Sequence, residues 1–267
     1  MNARESALKT SWLEATRLEV SIGGHRVCSN LNWRVEAGQS WAILGRNGAG
    51  KSTLLGTLAG FRAPQGGRLS IAGLDLPPAS QGAAARAMAR VRGYLSQHQI
   101  DPFASTVMET VLVGRHPHLG RWDWESAEDR RIAGAALDEV DLGGFAERDV
   151  QTLSGGERQR LAVAQLLAQQ PKLFLLDEPL THLDLSHQVA VMDLFARRAA
   201  AGAAIVAVLH DPGVAARYCD HALLLFGNSE WLAGPAAEVI TAAHLGRLYG
   251  HPLRELRSEG RRWFVPC

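Results

Sequence analysis

The chain has 267 residues, which suits one large α/β domain or two modest ones, and 46% of them are hydrophobic, as in ordinary globular proteins. The net charge of +1 gives no reason to expect a nucleic acid as partner. No apolar run approaches the ~20 residues that span a bilayer, and the N-terminal MNARESALKTSW lacks the apolar core of a signal peptide, so we expect a soluble chain.

The first hundred residues predict short strands on either side of one glycine-rich turn. Residues 13–22 alternate loosely and stop at two glycines, and the next strands are predicted in NLNWRVEAG and SWAILG. Helical spacing follows in LLGTLAG. GGRLSIAGLDL predicts a hairpin strand, ARAMARVRG a short helix, and YLSQ the end of another strand.

Residues 98–151 differ because they show helical periodicity and no obvious strand, which predicts a helical insertion. Strands and helices then alternate again. The predicted order is helix 154–169, strand LFLLD, helix 184–201, strand AIVAVLH, helix 212–218 and strand HALLLF. Apolar strands alternating with helices favour a parallel sheet covered on both faces. The tail after Gly234 is expected to be partly helical.

The turn GRNGAGKST fits the phosphate-loop pattern G-x-x-x-x-G-K-[ST] between a strand and a helix. Its glycines allow backbone N–H groups to wrap a phosphate, and the following helix points its positive end at the same oxygens. Lys51 is expected to reach the terminal phosphates, and the Ser52 hydroxyl to bind Mg²⁺. The predicted nucleotide-binding residues are Gly45, Arg46, Asn47, Gly48, Ala49, Gly50, Lys51, Ser52 and Thr53.

Polar side chains follow three of the predicted strands. Asp177 ends LFLLD and Glu178 follows it, His210 ends AIVAVLH, and Gln97 ends YLSQ. Open α/β sheets bind ligands at the carboxyl ends of their strands. We therefore expect Asp177 to hold Mg²⁺ through water, and Glu178 to act as the general base on an attacking water. Gln97 and His210 are expected at the same edge, near the γ-phosphate, with Gln97 a further metal ligand.

The stretch LSGGERQR begins a predicted helix with two adjacent glycines, although glycine disfavours helices. Ser154 and Glu157 have the spacing of a capping box. Gly155 and Gly156 would leave free N–H groups and no side chains in front of the helix. This predicts a second anion-binding surface. The cysteines, in contrast, are too few and too far apart for a metal site or disulfide framework, which favours the reducing cytoplasm.

Together these motifs resemble the nucleotide-binding subunits of ATP-binding-cassette (ABC) transporters. GRNGAGKST, YLSQ, LSGGERQR, LFLLDEP, LTHLD and AVLHD occur in that family's order, over about residues 13–230. The resemblance implies an α/β phosphate-loop fold with a mostly parallel core sheet, an antiparallel β subdomain and an inserted helical subdomain. The implied ATPase domain spans residues 12–234 (core 12–97 and 152–234, helical subdomain 98–151), followed by a tail at 235–267.

The resemblance also implies a head-to-tail dimer with two ATP molecules between the chains, a symmetric arrangement. Ser154, Gly155 and Gly156 would complete the partner's nucleotide site, and Asp184 would cross the interface. One position departs from the family. Ile22 stands where an aromatic residue usually stacks on adenine, and Trp12 is a weak candidate to replace that ring.

By resemblance, separate integral-membrane permease subunits would dock on residues 98–151, at the cytoplasmic face of the inner membrane. VLVGRHPHLGRWDWE is similar to ATPases that import iron–siderophore, haem or cobalamin complexes. Its His116, His118, Trp122 and Trp124 are interpreted as surface and contact residues, because the cargo passes through the permease. A substrate-binding protein would belong to the wider complex without contacting this chain. The alternative is a soluble ABC ATPase of iron–sulfur cluster assembly.

Overall fold

The computed structural model describes residues 10–76, 83–97, 104–120 and 122–267. The start of the predicted helical insertion at residue 98 and most of the N-terminal stretch lie outside these residues. The strands are β1 Ser11–Ile22, β2 His25–Glu36, β3 Ser40–Gly45, β4 Gly66–Ile71, β5 Leu74–Leu76, β6 Arg92–Leu95, β7 Leu173–Asp177, β8 Ala204–Val208, β9 His221–Gly227, β10 Glu230–Pro235, β11 Leu253–Ser258 and β12 Arg261–Pro266. The α-helices are α1 Lys51–Leu58, α2 Ala83–Val91, α3 Val107–Leu112, α4 Ala127–Asp138, α5 Gly155–Gln169, α6 Leu185–Ala200, α7 Pro212–Tyr218, α8 Ala236–Val239 and α9 Ala242–Tyr249.

The core sheet has the strand order β10-β9-β3-β8-β7-β6. All neighbours in it pair in parallel except β10, which runs antiparallel to β9. Every residue of β3, β7 and β8 is buried, as expected for apolar strands covered on both faces. The predicted mostly parallel core sheet is therefore confirmed.

Successive side chains of these strands point alternately into two different hydrophobic cores, one on each face of the sheet. Ile43, Leu175 and Val206 join α1 and the antiparallel sheet β2-β1-β4-β5 in one core. Their neighbours point the other way and pack with helices that include α3, α4, α5 and α6. This is the period of two that a strand imposes. The predicted antiparallel β subdomain is confirmed as the layer that covers α1.

The helical insertion is also confirmed, and a buried ion pair joins it to α5. Arg115 lies in a 3₁₀ helix (Val113–His118), is 6% exposed and donates to the Asp129 carboxylate over 2.9 Å. It also donates to the Ala168 carbonyl oxygen over 2.8 Å. Hydrogen bonds from Ser126 and then from Arg115 lower the pKa of Asp129 to about 2. The pair is therefore charged, and both partners make further hydrogen bonds, the condition under which burial is tolerated.

The tail beyond Gly234 is part of the same body. Ile240, Leu245 and Leu248 are buried in the core that holds α5 and α6. The sequence predicted helix here but missed the hairpin β11–β12. Its strands, LRELRS and RRWFVP, carry so many charged residues that their alternation is hidden. Within the described ranges no helix is both long and apolar enough to cross a bilayer.

We expect Gly114→Ala to destabilise the fold, because a β-carbon at Gly114 would lie 2.2 Å from the Gln165 carbonyl oxygen of α5. Overpacking against backbone costs about 1–3 kcal/mol. Gly134→Ala in α4 is the matched control, since a β-carbon there meets nothing within 4 Å. That change should gain about 0.5–1 kcal/mol from the better helix former. Urea unfolding measures both; equal stabilities would contradict the close packing of the insertion on α5.

Candidate active site

The register of three adjacent parallel strands aligns the predicted site residues. Val208 of β8 pairs with Ile43 of β3 on one side and with Asp177 of β7 on the other. The phosphate loop, Glu178 and His210 each begin one or two residues beyond this row. Parallel pairing therefore delivers all three to one edge of the sheet, where open α/β sheets bind ligands.

The phosphate loop needs glycine at its last position. Gly50 caps α1 with a φ of 89°, and a β-carbon there would lie 2.5 Å from Cγ2 of Val27. Only glycine combines a left-handed backbone with so close an approach. Val27, on β2, supports the phosphate loop. The motif does not reveal this contact, because Val27 lies outside the motif. Through Val27, the antiparallel sheet therefore packs against the phosphate loop.

The Lys51 ammonium folds back over this loop. Its Nζ donates to the carbonyl oxygens of Gly45, over 2.9 Å, and Arg46, over 3.1 Å. The residue is only 6% exposed. Burial lowers the pKa of Lys51, and the nearby carboxylates of Glu178 and Asp177 oppose this shift. The loop is thus closed around a cation that two acidic residues help to keep charged.

Asp177 is a buried carboxylate held by two hydroxyl groups. Ser52 Oγ donates to its Oδ1 over 3.0 Å, and the Tyr94 hydroxyl donates to its Oδ2 over 3.3 Å. Burial raises the pKa of Asp177, and these hydrogen bonds oppose the rise. The contact joins the helix after the phosphate loop to the strand end that carries the acidic pair. Tyr94 was not predicted as a site residue. Only its position in β6, the strand beside β7, brings it to Asp177, and YLSQ gives no sign of that pairing.

Glu178 and His210 contact each other directly. His210 Nε2 lies 2.7 Å from Glu178 Oε1, and the two side chains are 49% and 14% exposed. Glu178 has a φ of 52°, in the left-handed region that a residue with a side chain rarely adopts. Such backbone strain persists where the surrounding structure enforces it, and it concentrates at active sites.

An open cleft of about 500 Å³ collects most of the predicted residues. It is lined by Ile22, Asn47, Gly48, Gly50, Lys51, Ser52, Thr53, Gln97, Glu178 and His210. Gly45, Arg46 and Ala49 belong to the loop but do not line the cleft. The Arg46 guanidinium instead lies toward the end of α9, where a β-carbon at Gly250 would be 3.9 Å from its Nη1.

Ile22 reaches the cleft but Trp12 does not. Ile22 is 40% exposed at the end of β1, beside the phosphate loop. The Trp12 indole N–H donates to the Gly202 carbonyl oxygen, next to the start of β8. That is the amino end of the parallel strands, opposite the cleft. The interpretation of Trp12 as a replacement adenine ring is therefore wrong, and Ile22 leaves an apolar surface there.

The predicted capping box at the start of α5 is confirmed. Ser154 Oγ accepts from the Glu157 N–H over 3.3 Å, and Glu157 Oε2 accepts from the Ser154 N–H over 2.7 Å. A β-carbon at Gly156 would lie 3.1 Å from the His182 carbonyl oxygen, so packing within the chain already favours glycine there. At Gly155 the nearest atoms would be an ordinary 3.6 Å away. Packing within the chain therefore does not explain why a glycine stands at the exposed position of Gly155.

Ser154, Gly155, Gly156 and Asp184 lie outside the cleft of their own chain. Asp184 caps α6 and accepts from the His187 N–H over 2.9 Å and from the Ser186 hydroxyl over 2.8 Å. These hydrogen bonds, with that of the His187 ring, lower the pKa of Asp184 to about 2. A further link was not predicted: the buried Gln159 of α5 donates from Nε2 to the Pro179 carbonyl oxygen over 3.0 Å, which ties this helix to the loop after Glu178.

A parallel sheet, a phosphate loop and an acidic strand end beside one cleft define a phosphate-loop nucleoside triphosphatase. A sequence profile described as ABC transporter matches residues 28–181. The hemin import ATP-binding protein HmuV of Deinococcus radiodurans is 39% identical over 245 residues, which cover 90% of each chain. The cobalamin import ATP-binding protein BtuD of Halobacterium salinarum is 36% identical over 86% of this chain and 56% of its own length.

Solved structures agree with these sequences. An inward-facing ABC transporter described as metal-chelate type superimposes with a TM-score of 0.83 at 29% identity, covering 96% of this chain and 98% of that one. A dimeric ATP-binding cassette bound to ADP and phosphate has a TM-score of 0.73 at 25% identity, covering 84% and 98%. The chain belongs to the ATP-binding subunits of the ABC transporter family and is an ATPase.

Asp177→Asn should raise the melting temperature while lowering ATP hydrolysis. The amide avoids the burial of a charge, its oxygen still accepts from Ser52, and its N–H₂ group can donate to the Tyr94 hydroxyl. We therefore expect a gain of about 2–4 °C, the shift for ~1 kcal/mol in a chain of this size. The native pKa of Asp177 is raised, so ionisation costs stability in full above that pKa and costs nothing below the unfolded pKa of ~4.

The gain should therefore be present at neutral pH and vanish as the pH falls. Thermal unfolding at several pH values measures it, with the exposed Asp75→Asn as the control that leaves the melting temperature unchanged. A lower melting temperature for Asp177→Asn at neutral pH would contradict the account.

Proposed function

We propose that this chain hydrolyses ATP to power import of a metal-chelate compound, with hemin the first candidate and cobalamin or an iron–siderophore next. The convergence of Lys51, Glu178 and His210 on one cleft, with the buried Asp177 bonded to Ser52 of that cleft, carries the ATPase part. The import part is supported by relatives named for hemin and cobalamin import. The alternative of a soluble cluster-assembly ATPase has no such support.

In the proposed reaction, the loop N–H groups and Lys51 hold the phosphates of ATP. Glu178 takes a proton from a water that attacks the γ-phosphorus, and the bond to the β-phosphate oxygen breaks to give ADP and phosphate. His210, 2.7 Å from Glu178, would contact the γ-phosphate as well as the base. Glu178 supplies the proton transfer, Lys51 supplies positive charge, and His210 supplies a ring N–H.

The residues beside the phosphate loop fit a magnesium ion. Ser52 and Asp177 present oxygen atoms 3.0 Å apart, and Gln97 lines the same cleft with an amide oxygen. Oxygen ligands of this kind are those that Mg²⁺ prefers. We infer that Ser52, Gln97 and Asp177, the last through water, would hold the ion. When bound, Mg²⁺ would neutralise charge on the phosphate oxygens.

We further propose that two copies pair head to tail. Ser154 and Gly155 are exposed and lie outside their own chain's cleft, while the first N–H groups of α5 have no acceptor within the helix. A phosphate from a nucleotide on the partner chain would satisfy them. Asp184, at the start of α6, would lie in the same interface. ATP then stabilises the closed dimer and hydrolysis releases it, as in a ligand-biased two-state switch.

The dimer would drive a pair of integral-membrane permease subunits, and it would bind them at the cytoplasmic face of the plasma membrane. Residues 98–151 are the proposed docking segment. Trp122 and Trp124 in it are 84% and 88% exposed, a large apolar area for a surface loop. His118, in contrast, is half-buried, and its Nε2 contacts the Gln169 carbonyl oxygen over 2.9 Å. A substrate-binding protein would deliver the cargo without touching this chain.

Glu178→Gln should bind ATP, lose hydrolysis and accumulate as a dimer, because the amide cannot accept the water proton. Gel filtration with ATP and Mg²⁺ measures the dimer, and phosphate release measures turnover. Glu147→Gln, at an exposed site outside the cleft, is the matched control and should behave as wild type. A Glu178→Gln variant that stays monomeric and still hydrolyses ATP would overturn both the base and the dimer.

Affinity purification from gently solubilised membranes tests the import proposal. We expect a polytopic permease to accompany the tagged chain, and the reconstituted complex to hydrolyse ATP faster with hemin-loaded binding protein than with the empty protein. Recovery with soluble scaffold proteins alone would contradict the importer while leaving the ATPase site intact.

A further inference from the structure

Arg262 joins the two strands of the C-terminal hairpin to each other and to the body of the protein. Arg262 of β12 donates from Nε and Nη2 to the Glu255 carboxylate over 3.1 and 3.2 Å, and it also donates to the Ile240 carbonyl oxygen. Both side chains of the pair are 19% exposed. The hairpin is closed at its end by a bond from the Cys267 N–H to the Pro252 carbonyl oxygen. These hydrogen bonds hold the hairpin in a defined position.

This hairpin packs on the first turn of α7. A β-carbon at Gly213 would lie 3.6 Å from the Arg262 carbonyl oxygen and 3.8 Å from Cε3 of Trp263. Strand β12 therefore lies over the first turn of α7, at a spacing that leaves room for one β-carbon between them. Trp263 itself is 49% exposed and lines a groove of about 150 Å³ with residues that include Leu180 and Val214.

The first turn of α7 follows His210 directly. Asp211 caps the helix, and its Oδ1 accepts from the N–H groups of Gly213, over 2.6 Å, and Val214, over 3.2 Å. Strand β8 has already ended at Val208. The backbone of His210 is therefore held on one side by the sheet and on the other by this capped turn. Any shift of α7 must move His210 relative to Glu178.

The packing behind the Glu178–His210 pair is loose. A second hollow of about 300 Å³ is lined by both of these residues and also by Leu180, Gln188, Asp211 and Val214. Those last four residues also line the groove that Trp263 borders. On this side His210 faces a hollow that the first turn of α7 also borders, and the hairpin lies against that turn.

We propose that Trp263 is a positioning residue for ATP hydrolysis, which acts through Gly213 and the first turn of α7 to hold His210 against Glu178. The proposal rests on the role of His210 in the proposed function. It assigns the C-terminal hairpin to the catalytic cycle, although the hairpin does not line the nucleotide cleft.

A double-mutant cycle on the full chain tests this inference. Trp263→Ala should lower kcat for ATP about tenfold, with KM within about twofold, because His210 is displaced while the phosphate loop is untouched. Trp263→Phe should restore most of the rate, since a ring still borders the groove beside the first turn of α7. In a His210→Ala background, Trp263→Ala should lower kcat no further, because its effect passes through His210.

Leu256→Ala is the matched control. Leu256 pairs with Trp263 across the hairpin and is 43% exposed, but it does not line the groove. It should leave kcat unchanged. Thermal melting checks each variant, and Trp263→Leu replaces Trp263→Ala if the alanine variant is unfolded, with the same expectation.

Two results would overturn the positioning role, and they separate it from the proposed function. If Trp263→Ala lowers kcat by the same factor with and without His210, Trp263 acts on the fold in general. If the His210→Ala variant hydrolyses ATP at the wild-type rate, the proposed role of His210 fails, and that of Trp263 fails with it.

Discussion

The in-register pairing of β3, β8 and β7 is the constraint on which the active site depends. Because Val208 lies between Ile43 and Asp177, the chain segments that leave these strands start from one row. The phosphate loop, the acidic pair and His210 are far apart in sequence, yet none needs a long loop to reach the cleft. A one-residue slip would also turn every buried side chain to the wrong face, so the two hydrophobic cores hold the register that the chemistry requires.

The site is assembled from features that disfavour stability. Asp177 is a carboxylate with a pKa raised by burial, Lys51 is an ammonium with a pKa lowered by burial, and Glu178 has left-handed backbone. Each is held by its surroundings: two hydroxyl groups bond Asp177, and loop carbonyls bond Lys51. Proteins commonly keep such strained or desolvated groups where function needs them. The α5 helix, fixed to the loop after Glu178 by Gln159, links this site to the surface that bears Ser154.

Much of the fold could be predicted from the sequence because its signals are local. Buried parallel strands are continuous apolar runs, and the phosphate loop and the capping box have fixed spacings. What the sequence could not reveal depends on contacts between distant segments. Val27 against Gly50, Tyr94 on Asp177 and the approach of Gly156 to His182 have no local signature. The hairpin β11–β12 was not predicted, since charged residues mask the alternation of its strands. Trp12 was wrongly expected at the nucleotide cleft, because the residues around it do not show which end of the core sheet it contacts.

The central claim is that the two anion-binding surfaces of one chain serve two different nucleotides. Mixing two inactive variants tests it most directly. Lys51→Ala removes the phosphate-loop cation, and Ser154→Arg blocks the start of α5; each alone should not hydrolyse ATP. In a mixed head-to-tail dimer one site carries both defects and the other carries neither, so the mixture should regain phosphate release. A mixture that stays inactive, while Ser154→Arg still binds a fluorescent ATP analogue and both variants fold, would contradict the shared site.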